Sequence, residues 1–234
     1  MGTKLLTPSI APRHPGKSEL RRLTGLVESL EKKQHNVPTT PFMHSLVYST
    51  KLFGLFGKKK CPKAGEFFGK YLKDSVLIDV GAGGEESYLA TAHFAYSCGV
   101  SRYVAVDRYV RYSIRDVVVA GEYIKAEENV DRLGMELHFV NGDMLLFLAL
   151  QADSSVQVCM SAIDGTCIEK SAAGYIQELV HQISRVVESP GLAFGGNSPF
   201  LGELEQHNFQ RIREIPGFGD ISQVSDTYVF SQQM

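Results

Sequence analysis

From Asp74 onward the chain alternates short runs of β-branched and aromatic residues with helical stretches of roughly 10 to 20 residues, and this alternation narrows the fold more than any other feature. Strands are predicted at 75–80, 102–106, 137–141, 156–160 and 191–194, with a strand-like alternation at 221–230. Helices are predicted over 85–97, within 113–133 and over 171–187. Strands joined through helices return to the same sheet in parallel, so the pattern predicts βαβ crossovers and a mostly parallel sheet.

The first 73 residues read differently. Pro8, Pro12 and Pro15 with little apolar content predict a flexible tail over 1–17. Leu20, Leu23, Val27 and Leu30 then recur at helical spacing, with Ser18 placed to cap the start. The segment NVPTTP at 36–41 breaks that helix, an apolar stretch follows at 42–56, and Lys58, Lys59, Lys60 and Pro62 interrupt again. A short helix carrying Phe67, Phe68, Tyr71 and Leu72 leads into the main domain. Three parts are therefore expected: the tail, a basic helical cap or arm at 18–73, and an α/β domain at 74–234.

Charge divides at the same place. Residues 1–73 hold 14 Lys and Arg against 4 Glu, a net +10, and the remainder holds 10 against 22, a net −12, so the overall −2 conceals a dipolar chain. Such an arm either packs on its own acidic body or steers an anionic substrate such as RNA. Cys61, Cys98, Cys159 and Cys167 form no C-x-x-C pair; Cys98 and Cys159 read as small core residues, which points to a reducing, cytoplasmic setting. No apolar run reaches the ~18 residues of a membrane span. No secretion-type leader is read either, and Leu6 stands where a myristoylation motif needs Ser or Thr.

Ligands of an open parallel sheet sit at the carboxyl ends of its strands. After the first strand stands Asp79-Val80-Gly81-Ala82-Gly83-Gly84-Glu85, a glycine turn that opens a helix. A dinucleotide fingerprint would need glycine at position 86, which is Glu86, and the carboxylates Glu85 and Glu86 would repel a pyrophosphate there. The second strand ends in Asp107, placed to accept from ribose hydroxyls; Arg108 follows it. The third ends in Asn141-Gly142-Asp143-Met144, where Asp143 can accept from an adenine amino group and Met144 can lie on the ring. Each taken alone also reads as an ordinary turn. Three acids closing three consecutive strands are harder to dismiss.

These segments resemble the class I S-adenosylmethionine-dependent methyltransferases across residues 74 to 230. VLIDVGAGG resembles that family's glycine motif, RYVAVDR its second-strand acidic motif and LHFVNGDML its third. YIQELVHQISRVVESPGLAF resembles the helix and strand that follow, and IPGFGDISQVSDTYVF the terminal strand pair. Two departures stand out: Gly84 is followed by Glu85 rather than a further glycine, and Gly191 by Leu192. The resemblance implies a Rossmann-like seven-stranded sheet, mostly parallel with an antiparallel last strand, plus the N-terminal helical segment. It implies S-adenosyl-L-methionine as cofactor, with Asp79, Gly81, Ala82 and Gly83 around its methionine part, Asp107 on the ribose, and Asp143 with Met144 at the adenine. Arg108 and Gly142 are counted among the cofactor-binding candidates. Ser161 and Ala162 would flank the sulfonium.

Methyl transfer from a sulfonium is an in-line displacement on an electrophile already activated, so alignment and water exclusion are the protein's main tasks. Asp164 is the candidate general base, and a helix cap is the competing reading. His44 and Tyr48, neighbours at i and i+4 on the arm, and Asn197 after the fifth strand are substrate-pocket candidates. No histidine pair has metal-ligand spacing. The acceptor, a small molecule or RNA, is not named by any motif. An inactive methyltransferase-like binding module and an aminopropyl transferase on the same fold are the alternatives.

Overall fold

The computed structural model describes residues 12–31, 62–161, 173–196, 199–215, 219–220 and 227–232. Helices α1 (Lys17–Glu31) and α2 (Pro62–Leu72) precede β1 (Val76–Val80), α3 (Glu85–Ser97), β2 (Arg102–Asp107), α4 (Ile114–Glu128), β3 (Glu136–Asn141) and α5 (Met144–Ala149). Then come β4 (Gln157–Met160), α6 (Ala173–Val186), β5 (Gly191–Gly196), a 3-10 helix (Pro199–His207), β6 (Phe209–Arg211), a two-stranded ribbon of β7 (Glu214–Ile215) and β8 (Gly219–Asp220), and β9 (Thr227–Gln232).

The main sheet has seven strands in the order β3-β2-β1-β4-β5-β9-β6. Strands β1 to β5 pair in parallel, and β9 runs antiparallel to both its neighbours. This is the Rossmann-like α/β architecture that the resemblance implied. One strand position differs. The terminal pair was expected within 215–230, but β9 takes its outer partner from 209–211, while Glu214–Ile215 and Gly219–Asp220 pair as the separate ribbon.

Alternation along each strand builds two cores. On β1, Val76, Ile78 and Val80 face Leu23 of α1, Leu145 and Leu148 of α5, and Leu179 and Ile183 of α6. Leu77, with Tyr103 of β2 and Cys159 of β4, faces Phe68 of α2, Tyr88 and Phe94 of α3 and Ile124 of α4. A strand covered on both faces reads as an unbroken apolar run, which is why VLIDV carries a single polar residue. That residue, Asp79, sits on the second face among the tyrosines, because its register partners there are Ala105 and Cys159.

Helix α1 begins one residue earlier than predicted. Gly16 O accepts from Leu20 N at 2.9 Å, so Ser18 lies in the first turn and does not cap it. Leu23 and Val27 are buried, whereas Leu20, expected on the same stripe, stays exposed. Arg22 pairs with Glu178 of α6 at 2.6 Å, and Arg13 bonds Glu19 and, through its backbone N–H, Leu150 O. Pro62 opens α2, where at the first helical position its missing N–H costs nothing. Cys98 and Cys159 are buried free thiols, and burial holds the Cys98 thiol up at about 12. Among the described residues no helix is long and apolar enough to cross a membrane.

Candidate functional site

Strand β1 has β2 on one side and β4 on the other, so the chain reverses its direction across the sheet at the carboxyl end of β1. Loops diverge at such a switch point and leave a crevice. The glycine turn lies there. Gly81 and Gly83 have φ of 71° and 70°, the left-handed region that a Cβ disfavours, so these two glycines are required by the backbone itself. The turn is tied to β2: Gly81 N and Ala82 N both donate to Val106 O, and Gly83 N donates to Asp107 Oδ2 at 3.1 Å. Gly84 then occupies the N-cap of α3 without a side-chain cap, and Glu85 and Glu86 stand exposed in the first turn.

Asp107 is therefore adjacent to the glycine turn, as the motif spacing predicts. Its carboxylate also accepts from Tyr109 N at 2.7 Å and Val110 N at 2.9 Å through Oδ1. A carboxylate offers about four acceptor positions. Three are used by backbone donors, so about one position remains for a ribose hydroxyl.

Asp143 is more fully engaged. It caps α5, accepting from Leu145 N and Leu146 N, and it also takes Arg108 Nη1 at 3.2 Å and the Tyr175 hydroxyl at 3.1 Å. With those donors in place no acceptor is left for an adenine amino group. Burial pushes its carboxyl above the ordinary value even with the α5 N–H groups and Arg108 opposing. Met144 is buried in the core cluster with Leu145 and Leu148. Arg108, a cofactor-contact candidate, pairs with Asp143 and lies over the Tyr109 ring at 5.4 Å. Gly142 N donates to Asp107 O at 2.9 Å, joining the third-strand turn to the second.

Asp79 lies below this row. It is one residue short of the end of β1, and two residue steps beneath Asp107 in the shared register. The Tyr103 hydroxyl donates to it at 2.8 Å, Ser161 N at 3.1 Å and Ser161 Oγ at 2.6 Å, and the Cys159 thiol also bonds it. Complete burial outweighs these bonds and raises its carboxyl to about 6. Ser161, predicted at the sulfonium side, is thus fastened to β1 at the mouth of β4. Asp79 ties β2 and the mouth of β4 together beneath the glycine turn.

Sequence reasoning missed the residues that lock the turn. Tyr112 donates from its hydroxyl to Gly83 O at 2.7 Å. Its backbone is gripped both ways by Asn141, whose Oδ1 accepts from Tyr112 N and whose Nδ2 donates to Tyr112 O. Its ring packs on Tyr88 and Phe139, and burial raises its hydroxyl pKa. Tyr175 was read only as a helix residue. The one available signal was the interleaved tyrosines of RYVRYS after β2. His44, Tyr48, Ala162, Asp164 and Asn197 lie outside the described residues. Among the described residues no three His, Cys, Asp or Glu side chains gather as a metal site.

No protein-family model and no curated protein matches the chain. Several solved structures are similar to it, two of them as follows. One is an rRNA methylase from Streptococcus thermophilus, 11% identical, with 73% of this chain and 95% of that chain covered and a TM-score of 0.42. The other is PH0851, 12% identical, with 72% of this chain and 44% of that chain covered and a TM-score of 0.40. At such values the likeness is of shape only, and the chemistry of this chain has to come from its own residues.

Proposed function

We propose that the chain is an S-adenosylmethionine-dependent methyltransferase. The observation that carries the reading is the Gly81–Gly83 turn, buried at the switch point and hydrogen-bonded through Gly83 N to Asp107. That turn fits a nucleoside with an amino-acid tail better than a dinucleotide, because Glu85 and Glu86 place negative charge where a pyrophosphate would sit. The bound cofactor would supply a sulfonium-activated methyl group. The backbone of Gly81, Ala82 and Gly83 would hold its methionine part, Asp107 would hold the ribose by its remaining acceptor position, and Ser161 with Ala162 would border the sulfur side. Asp164 is the proposed base where an acceptor has to lose a proton. The basic segment 18–73 is the proposed cover of the acceptor site, with His44, Tyr48 and Asn197 as its lining and a small molecule or RNA as acceptor.

A second reading has one specific observation in its favour. The occupied acceptors of Asp143 and the ion pair of Arg108 over the third-strand turn suit a binding module that has lost catalysis. In the transferase reading Arg108 swings off Asp143 when an adenine arrives. Calorimetry with S-adenosylmethionine and S-adenosylhomocysteine tests the proposal. Saturable 1:1 binding of both, weakened at least about tenfold by Asp107→Ala, supports it; heat of dilution alone overturns it. Binding of both without transfer of labelled methyl to cellular RNA or small-molecule extracts would favour the module.

A further inference from the structure

The eight residues that follow β2, Arg108-Tyr109-Val110-Arg111-Tyr112-Ser113-Ile114-Arg115, contain three of the ten Lys and Arg between residues 74 and 234, and no acid. A body of net −12 thus concentrates its positive charge beside the proposed cofactor edge. Arg108 is held by Asp143. Arg111 and Arg115 are exposed and have no ion pair among the described residues. The free donors at the start of α4 are not the attraction, since Ser113 and Asp116 close a capping box there.

Apolar exposure converges on the same segment. Tyr109 is 64% exposed, Ile114 84% and Val118, one turn further along α4, 50%. They are three of the five large apolar side chains that stand exposed among the described residues. Tyr112, by contrast, turns inward to lock the glycine loop. Isolated cations interleaved with an exposed ring match the alternation of phosphates and bases, where each base offers a face for stacking.

We propose that residues 109–118 form a landing surface for single-stranded nucleic acid, with Arg111 and Arg115 on phosphates and the Tyr109 ring under a base. Ile114 and Val118 supply the apolar margin. Tyr109 N is bonded to Asp107, so the surface adjoins the strand tips. Strands β2 and β4 flank β1, which sets them about 10 Å apart. A strand lying on the surface can therefore place a neighbouring nucleotide at the mouth of β4. Its role as methyl acceptor rests on the proposed transferase reading, but its binding does not.

The test is fluorescence anisotropy with a fluorescein-labelled single-stranded RNA of about 12 nucleotides, long enough for a typical site, titrated across a salt series. Wild-type protein is expected to bind with salt-dependent affinity. Arg111→Ala/Arg115→Ala is expected to weaken binding and to reduce the slope of log affinity against log salt by about 1.4, two phosphate contacts on a single strand. Tyr109→Ala is expected to weaken binding about fivefold or more with the slope kept. Thermal melts confirm that these surface variants fold, and calorimetry with S-adenosylmethionine on the same samples reads the cofactor site separately. RNA binding without cofactor binding would remove the transferase reading and leave this surface standing. Absence of RNA binding, equal affinity in the variants, or the same loss seen with polyglutamate in place of RNA would overturn the proposal.

Discussion

Replacing Asp79 by Asn gives a stability change whose pH dependence follows from the structure. The carboxyl is fully buried, and its pKa is raised from 3.8 to about 6 by desolvation that Tyr103 and Ser161 only partly offset. Folded protein then keeps this proton to higher pH than unfolded protein does. Unfolding between pH 3.8 and about 6 releases it, so raising the pH through that window favours the unfolded state. The stabilisation is complete below the unfolded value and is lost as pH rises through the folded one. At 1.36 kcal/mol per unit, the interval amounts to about 3 kcal/mol. Asn cannot ionise, so its polar mismatch with the donors adds only a constant offset. Urea unfolding of both proteins from pH 3.5 to 8 measures the difference. Asp79→Asn should gain about 3 kcal/mol relative to wild type as pH rises from 3.5 to 7.5, then run level. A difference constant within about 0.5 kcal/mol, or one growing the other way, would refute the reasoning.

Further outcomes follow from the same geometry. Gly83→Ala forces a Cβ onto a residue at φ 70° and should cost about 1–2 kcal/mol in urea unfolding. Gly142→Ala, whose Cβ would meet only Val140 Cγ1 at 3.8 Å, should unfold within about 0.5 kcal/mol of wild type. Asp143→Ala strands Arg108 and the α5 N–H groups and should cost about 3–5 kcal/mol, whereas Tyr175→Phe, losing one hydroxyl bond, should cost about 1 kcal/mol. Leu23→Ala empties a fully buried site between α1 and the sheet face; a loss of about 2–5 kcal/mol in the full-length protein would show that α1 belongs to the folded unit.

Much of the fold was legible because periodicity survives burial. The predicted helix over 85–97 matches α3, and β1 to β5 fall within two residues of their expected positions. The edge of the sheet was less legible: β6 has three residues and β7 and β8 two each, too few to show alternation. At the site, Gly81, Gly83 and Asp107 were readable because their backbone duties fix their identities. Asp143 carries duties that the sequence does not show, for a physical reason. An Asp after a strand and before a short helix is a cap first, and neither the Arg108 ion pair nor the Tyr175 hydroxyl, 32 residues away, leaves a mark at short range. Tyr112 and Asn141 were invisible for the same cause, since their partnership spans 29 residues.

A crystal structure with S-adenosylhomocysteine is the most direct trial of the cofactor account. It should show the ribose against Asp107, the amino-acid tail along Gly81 to Gly83, Arg108 rotated away from Asp143, and the sulfur turned toward the mouth of β4 near Ser161. Electron density for the product anywhere else, or an unchanged Arg108–Asp143 pair beneath an empty crevice at saturating product, would contradict it.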